Sequence, residues 1–324
     1  MNAVIPQSMA AEQFAFLSEA LCSYAALSAA DRLGILFQLE KGTVTPSSLA
    51  QECSINERGA KWLLASLAAL GLAARDGEGT FYAAMPNLTR VGQIIKMWDG
   101  LEYVVREGKS IAEGDTATGS GNFYPDVTPF LGKGFAEAAQ QVASRLGQFG
   151  TRVLDVGAGA APWSIAIAQQ NPDCRVTAAD LPSVIEVTQR AVEAAGVAPQ
   201  YTYLGGDLFV ADLGNATYDV AIAGNLCHLF DEHTNHNLLA RLFGAIAPGG
   251  EIAIVDVLPN DEMTGPRETI LYGLGLLLRT SLGEAYPLSV YSSWLEEVGF
   301  DSVECFHLSS SLPLSLITAR KPTK

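Results

Sequence analysis

Val153-Leu154-Asp155-Val156-Gly157-Ala158-Gly159-Ala160-Ala161-Pro162 is an apolar strand that ends in an acid and turns over two glycines into a helix. Glycine at such a turn permits backbone angles that a side chain forbids and lets a ligand approach the main chain. In open parallel sheets, ligands bind in the crevice beyond the carboxyl ends of the strands. The stretch therefore reads as a cradle for a nucleotide-type cofactor.

A regular α/β series follows. Arg175 to Ala179 is a second strand, closed by Asp180-Leu181-Pro182, and a helical run extends from about Ser183 to Ala195. Tyr201 to Leu204 is a third, closed by Gly205-Gly206-Asp207-Leu208-Phe209. Tyr218 to Ala223 is a fourth, entering Gly224-Asn225-Leu226-Cys227-His228. A helix from about Thr234 to Ile246 stops at Ala247-Pro248-Gly249-Gly250, and the strand Glu251 to Val257 carries Asp256 near its end. Apolar strands alternating with helices and breakers predict a parallel sheet covered on both faces. The helix Leu288 to Val298 ends at Gly299. Asp301 to Phe306 and Ser315 to Arg320 are joined closely enough to form an antiparallel hairpin, so seven strands with one reversed edge strand are expected.

The order of these segments resembles the class I S-adenosylmethionine-dependent methyltransferases, specifically the small-molecule O-methyltransferases of the caffeate and hydroxyindole type in their bacterial branch. The matching segments are Asp155 to Gly159, Asp180-Leu181-Pro182, Gly206 to Phe209, Asn225 to Asp231, Ala247 to Gly250 and Asp256 to Asn260. The resemblance implies an α/β fold: a seven-stranded Rossmann-like methyltransferase sheet with an N-terminal, mainly helical winged-helix dimerisation domain. It implies S-adenosyl-L-methionine as cofactor, held by Asp155, Gly157, Gly159, Asp180, Leu181, Asp207, Leu208, Phe209 and Asn225. It also implies catalysis by His228, with Asp256 as its supporting acid and Glu284 near the place of a second acid. Leu229 stands where plant relatives follow the histidine with Asp, and Ala161 replaces the third glycine of their loop.

A dinucleotide-dependent oxidoreductase is the rival for the glycine turn. Its G-x-G-x-x-G/A fingerprint needs a small residue where this chain has Pro162. Asp155, two residues before the first glycine, would repel a pyrophosphate but suits, through water, the cationic end of a methionyl group. Asp180 at the end of the second strand suits a ribose diol.

The N-terminal part differs in texture. Phe14, Leu17, Leu21 and Tyr24, then Leu33 and Leu36, recur at helical spacing, with Asp31 as a candidate cap for a second helix. Thr45 to Ala50 starts another helix, about Glu57 to Leu70 is a further one, and Leu72 to Arg75 with Thr80 to Ala83 reads as a hairpin across Asp76-Gly77-Glu78-Gly79. Helix, turn, helix and hairpin spell a winged helix. The helix in the recognition position offers only Arg58 and Lys61 beside Trp62, Leu63, Leu64 and Leu67, so dimerisation is favoured over DNA binding. The expected division is 1–86 for this domain, 87–147 for a helical connector contributing to the substrate pocket, and 148–324 for the cofactor-binding domain. The resemblance implies that helices of the connector form the acceptor pocket, so Trp98, Tyr103, Phe123, Tyr124 and Phe130 within it are candidate substrate contacts, although aromatics mainly fill interiors.

With 324 residues, two domains are the natural expectation. A net charge of −15 argues against a nucleic-acid partner, since phosphate binding needs clustered Lys and Arg. No secretory signal or membrane span is expected: the apolar run Leu271 to Leu278 falls far short of the about 18 residues a span needs and reads as a buried helix segment. Five scattered cysteines without C-x-x-C spacing suit free thiols in a cytoplasmic, reducing setting. His233 and His236 beside Asp231 and Glu232 are better placed as a solvated helix start than as a metal site, so no metal is expected.

The expectation is therefore a homodimeric, cytoplasmic O-methyltransferase of a small hydroxylated, aromatic specialised metabolite, with His228 as base. N- or C-methylation, a non-methylating use of the same cofactor, and a ligand-sensing winged-helix regulator are the alternatives.

Overall fold

The computed structural model of the chain describes residues 7–121, 124–125, 134–146, 151–310 and 312–323. The chain divides into two compact units, Met1–Leu101 and Glu102–Lys324.

In the first unit, α1 (Gln7–Arg32) and α2 (Ile35–Lys41) are separated by Gly34 at φ +74°, the left-handed region that favours glycine. Asp31 does not cap α2 as its position in the sequence had suggested. It lies inside the last turn of α1, too early to face the first N–H groups of α2, and pairs instead with Lys96 Nζ at 3.3 Å. Short α3 (Pro46–Glu52) starts with a reciprocal capping box between Thr45 and Ser48, and α4 (Glu57–Ala69) is capped by Asn56. Strands β1 (Ala73–Arg75) and β2 (Phe81–Ala83) pair antiparallel. Val44 bridges to Phe81 on the far side, and Asp76 Oδ1 accepts from the Glu78 and Thr80 amides to close the turn. Helix α5 (Thr89–Asp99) completes the unit. Leu36, Leu49, Leu64, Leu67 and Phe81 form its core, whereas Phe14, Leu17 and Leu21 on α1 and Trp62 on α4 are exposed.

The second unit begins with α6 (Leu101–Glu107, starting at the boundary) and α7 (Ala136–Leu146). It is built on a seven-stranded sheet: β3 (Arg152–Val156), β4 (Arg175–Asp180), β5 (Tyr201–Gly205), β6 (Tyr218–Gly224), β7 (Ile246–Val257), β8 (Asp301–His307) and β9 (Leu314–Arg320). The order is β5-β4-β3-β6-β7-β9-β8. Between the strands run α8 (Pro162–Gln170), α9 (Pro182–Ala194), α10 (Glu232–Ala245), α11 (Arg267–Arg279) and α12 (Leu288–Val298). Alternate residues of β3 serve the two faces: Val153 enters one core, Leu154 and Val156 the other.

One topological expectation is corrected. The reversed strand is β9, antiparallel to both β7 and β8, so it lies second from the edge and β8 forms the edge. The crossover through α12 lays β8 parallel to β7 with one strand width left open, and the close connection to β9 can only return the chain antiparallel into that gap.

Along this sheet the chain turns in both directions from the centre: β3 leads outward to β4 and β5, while β6 and β7 lie on its other side. The loops after β3 and β6 therefore diverge, opening the crevice that the topology reserves for a ligand.

Candidate active site

The loop after β3 places Gly157 at φ +63°, Gly159 at +56° and Ala161 at +52°, so three of five consecutive residues are left-handed. A side chain on Gly157 would be strained, and its Cβ would lie 2.8 Å from Leu226 Cδ1. Gly157 N–H donates to Ala179 O (2.8 Å) and Gly159 N–H to Asp180 Oδ2 (2.8 Å), tying this loop to the end of β4. Asp180 Oδ1 accepts from Leu181 N–H (2.7 Å). Even with these donors, burial pushes the Asp180 carboxyl up to about 6.

These residues border a cavity of about 240 Å³. Gly157, Gly159, Asp180, Leu181, Asp207, Leu208, Phe209 and Asn225, eight of the nine residues expected around a cofactor, line it. Asp207 Oδ1 accepts from Phe209 N–H (2.9 Å), which presents Leu208 and Phe209 at the rim, and Phe209 meets Phe230 edge-on at 5.2 Å. Asn225 stands at φ +56° with its amide N–H bonded to Val255 O (2.7 Å), while its buried Oδ1 has no protein partner.

Asp155 is the ninth, and it sits behind the glycine loop rather than on the cavity wall. It is wholly buried. Ser164 Oγ–H donates to its Oδ2, and Ser164 accepts in turn from Tyr201 Oη–H at 3.0 Å. Its Oδ1 has no protein partner. Burial, with the Asp180 charge adding to it, pushes this carboxyl up to about 7. A buried carboxylate with an orphaned oxygen is rare enough to need a counter-group, and a cationic ligand supplies one.

Trp163 and Asp115 also line the cavity, and neither was singled out from the sequence. Trp163 stacks on Phe135 with centroids 5.3 Å apart, and its indole lies against Gly224, where a Cβ would come within 2.2 Å of Nε1. Its place just after Pro162, on the first turn of a helix facing the crevice, was the available signal. Asp115 Oδ2 accepts from Ser281 N–H (2.8 Å) and Leu282 N–H (3.0 Å), whereas its Oδ1 is buried without a protein partner.

Beyond β6 a single 3-10 turn, Cys227–Leu229, carries His228. Asn235 on α10 holds this turn through the Cys227 and Phe230 carbonyls (2.9 and 3.1 Å), and Tyr286 Oη–H donates to Phe230 O (2.9 Å). His228 Nδ1 lies 2.6 Å from Asp256 Oδ1 on β7. Asp256 further accepts from His228 N–H (3.2 Å), Val257 N–H (2.8 Å) and Tyr291 Oη–H (2.9 Å). A carboxylate surrounded by donors takes the Nδ1 proton and leaves Nε2 as the lone-pair nitrogen. Nε2 meets the Tyr272 hydroxyl at 3.0 Å. Cys227, wholly buried beside this pair, is a thiol pushed well above its ordinary value by that burial.

Glu284 is not brought to the histidine. Its side chain is exposed, while the backbone at Gly283 packs so closely that a Cβ there would lie 2.5 Å from His228 O. The position facing Nε2 belongs to Tyr272 instead. Tyr124 is half-buried, and its ring packs against the core on the α10 side of the sheet while also lining the cavity. Tyr103 on α6 is 54% exposed and does not line the cavity. Trp98 lies half-buried on α5 in the first unit, and Phe123 and Phe130 fall outside the described residues. His236 Nε2 lies 3.6 Å from Glu297 Oε2, and no group of three or more His, Cys, Asp or Glu suited to a metal occurs among the described residues.

A family model of the O-methyltransferase domain matches residues 137–301. The chain belongs to that family. It is thus an S-adenosylmethionine-dependent methyltransferase, as the motif order had implied. Among relatives of this O-methyltransferase, the tetracenomycin polyketide synthesis 8-O-methyl transferase TcmO of Streptomyces glaucescens is 29% identical over 313 residues, covering 89% of this chain and 90% of that protein. The 3-hydroxy-5-methyl-1-naphthoate 3-O-methyltransferase of Streptomyces sahachiroi is 28% identical over 304 residues, covering 88% of each. Human N-acetylserotonin methyltransferase, solved in complex with S-adenosylmethionine, matches the whole of this chain with a TM-score of 0.73 at 22% identity, which shows the shared fold. No single helix among the described residues is long and apolar enough to cross a membrane. Only the pair α1 and α2, bent by 68°, passes that test by length and composition.

Proposed function

We propose that this enzyme methylates a hydroxyl of a small aromatic, polycyclic or naphthoate-like metabolite, with His228 as the base. The single observation that supports this most is the His228–Asp256 pair, buried and fixed at 2.6 Å beside the loop that closes the cofactor crevice. The two Streptomyces relatives act on hydroxylated aromatic frameworks, which favours the same acceptor class.

The bound donor supplies a methyl carbon on a positively charged sulfur, whose bonding pair returns to sulfur as the carbon–oxygen bond forms. The chain's own residues do the rest. Gly157 and Gly159 leave the main chain open to the ligand. Asp180 suits a ribose diol, Asp207, Leu208 and Phe209 an adenosine, and Asp155 a cation held through water behind the loop. Alignment of acceptor and methyl accounts for much of the rate. His228 Nε2 is the base that ends protonated when the acceptor is deprotonated, and Asp256 holds the ring in the required tautomer and balances the imidazolium charge.

Segment 1–86 acts in this reading as a winged-helix-like dimerisation domain, joined to the cofactor domain at 148–324 through a connector at 87–147 that helps form the acceptor pocket and whose first helix, α5, belongs to the first compact unit. Phe14, Leu17 and Leu21 follow one another at helical spacing on α1 and are 73%, 56% and 68% exposed, as a face meeting a second copy requires. The acidic balance and five free cysteines suit a cytoplasmic enzyme. Incubation of the purified protein with methyl-labelled donor and a panel of phenols and hydroxynaphthoates tests the assignment. Label in the product that disappears in His228→Ala, with donor binding retained, is expected; label in an amine or on ring carbon, or none at all, overturns it.

A further inference from the structure

Both nitrogens of His228 are engaged. Asp256 takes Nδ1–H, and the Tyr272 hydroxyl sits 3.0 Å from Nε2, the atom that ends protonated in the proposed function. The imidazole itself is nearly sealed, its side chain 3% exposed, and it does not line the cavity. Tyr272 is half-buried, packs against the core and likewise does not line the cavity of about 240 Å³, so its hydroxyl is the group set between the histidine and whatever approaches from that side. Nε2 has a lone pair and no proton, so the Tyr272 O–H must be the donor. That fixes the direction: the hydrogen of Tyr272 points at His228, while its oxygen is the acceptor, met in part by the Arg279 side chain.

The geometry points to Tyr272 as a proton relay between the acceptor hydroxyl and His228, a catalytic role that rests on the reading of His228 as base. In one concerted movement the acceptor O–H proton passes to Tyr272 Oη while the phenolic proton of Tyr272 passes to His228 Nε2. The tyrosine ends neutral, the acceptor oxygen holds the electron pair for its new bond, and the charge gained by the imidazole is met by Asp256. No further co-reactant is needed.

The surroundings hold the phenol in place while it takes one proton and gives up another. The Arg279 guanidinium, one helical face along α11, lies 4.9 Å from the Tyr272 ring centroid. Burial raises the Tyr272 phenol while Arg279 works against that rise. The histidine ring meets the tyrosine ring edge-on, centroids 5.3 Å apart, so neither swings without the other. The charged groups facing the pair are Asp256 from β7 and Arg279 from α11. Tyr291 from α12, bonded to Asp256, and Tyr124 and Cys227 are the neighbouring ionisable groups.

The alternative is that Tyr272 merely occupies the acceptor's place and is displaced when it binds. Tyr272→Phe separates the two, assayed on the full-length enzyme with methyl-labelled S-adenosylmethionine and 3-hydroxy-1-naphthoate as acceptor probe. A relay predicts a fall in kcat of about 100-fold or more, the span of general-base contributions, with KM for donor and probe within about threefold of wild type. An unchanged or increased kcat overturns the relay. His228→Asn runs in parallel: if it stays active, the base assignment itself is wrong, whereas an inactive His228→Asn beside an active Tyr272→Phe removes the relay alone. Nitrogen-15 NMR of histidine-labelled protein, free of ligand, gives a readout independent of turnover. The Nε2 resonance of His228 should shift in Tyr272→Phe, and an unmoved resonance removes the hydrogen bond on which the relay depends. Should Tyr272→Phe fold poorly, 3,5-difluorotyrosine placed at 272 keeps the hydroxyl and lowers its pKa. The midpoint of the kcat–pH profile then moves to lower pH, and an unmoved profile overturns the relay.

Discussion

Replacing Asp155 with Asn should make the ligand-free enzyme more stable at pH 7.5 while removing the larger part of the pH dependence of donor binding, with the Asp180 part remaining. The carboxyl is wholly buried and raised from an ordinary 3.8 to about 7, roughly three pH units. At 1.36 kcal/mol per unit, folding carries a penalty of about 4 kcal/mol once the group is ionised. The penalty is absent below the unfolded value, grows as pH rises, and is complete above about 7, so the carboxyl's stabilising contribution is lost as pH rises through its folded pKa. Between pH 5.5 and 7.5 the linkage relation makes it worth about 2 kcal/mol, destabilising at the higher pH. Asp180, raised to about 6, adds about 1 kcal/mol of the same sign over that window. Asp155→Asn removes only the first of these, so the difference between wild type and variant isolates it. Urea unfolding at both pH values without ligand, repeated with saturating S-adenosylhomocysteine, measures it. A bound cation facing Asp155 draws its pKa back down, so the ligand should flatten the wild-type slope, and its affinity should tighten about tenfold or more as pH rises from 5.5 to 7.5. Parallel stability curves for wild type and variant, or an affinity independent of pH, would refute the assignment of Asp155 to the cationic end of the donor.

Gly224→Ala would drive a methyl group to 2.2 Å from Trp163 Nε1, and that indole is buried and stacked on Phe135. A loss of about 1–3 kcal/mol is expected for this overpacking, seen as a fall in Tm of at least about 2 °C together with weaker S-adenosylhomocysteine binding by calorimetry. An unchanged Tm would show that the ring moves freely. Leu21→Glu on exposed α1 should convert a dimer to a monomer in light scattering while changing stability by no more than about 0.5 kcal/mol; a wild-type monomer at micromolar concentration would remove the dimerisation role.

The sequence carried the local signals. Strand ends punctuated by Asp155, Asp180, Asp207 and Asn225 were legible because each acid or amide closes an apolar run of strand length beside a glycine, a turn or a helix start. The parallel sheet follows from that periodicity, and eight of the nine expected cofactor residues meet at one cavity because strands in a parallel sheet all end on the same side. His228 and Asp256 were also legible, one just beyond a strand and the other near the end of the strand that the order of the fold makes its neighbour.

What escaped the sequence was decided by side chains arriving from helices distant along the chain. Tyr272 lies in an apolar run that reads only as buried helix, and Tyr291 on a helix whose pattern is set by Trp294; nothing local distinguishes either from a core aromatic. Only the packing of α11 and α12 against the end of β7 brings one hydroxyl to His228 and the other to Asp256. Glu284, the acid nearest in sequence to the expected place, is exposed, and it is Gly283 beside it whose backbone packs against the His228 turn. The reversal of β9 inside the sheet is likewise a matter of which gap was left open. Sequence alone determined where the strands end and which groups cap them, since that depends on neighbours a few residues away. The partners of a buried imidazole depend on contacts 28 and 44 residues apart, and those exist only once the sheet and its helices have closed around it.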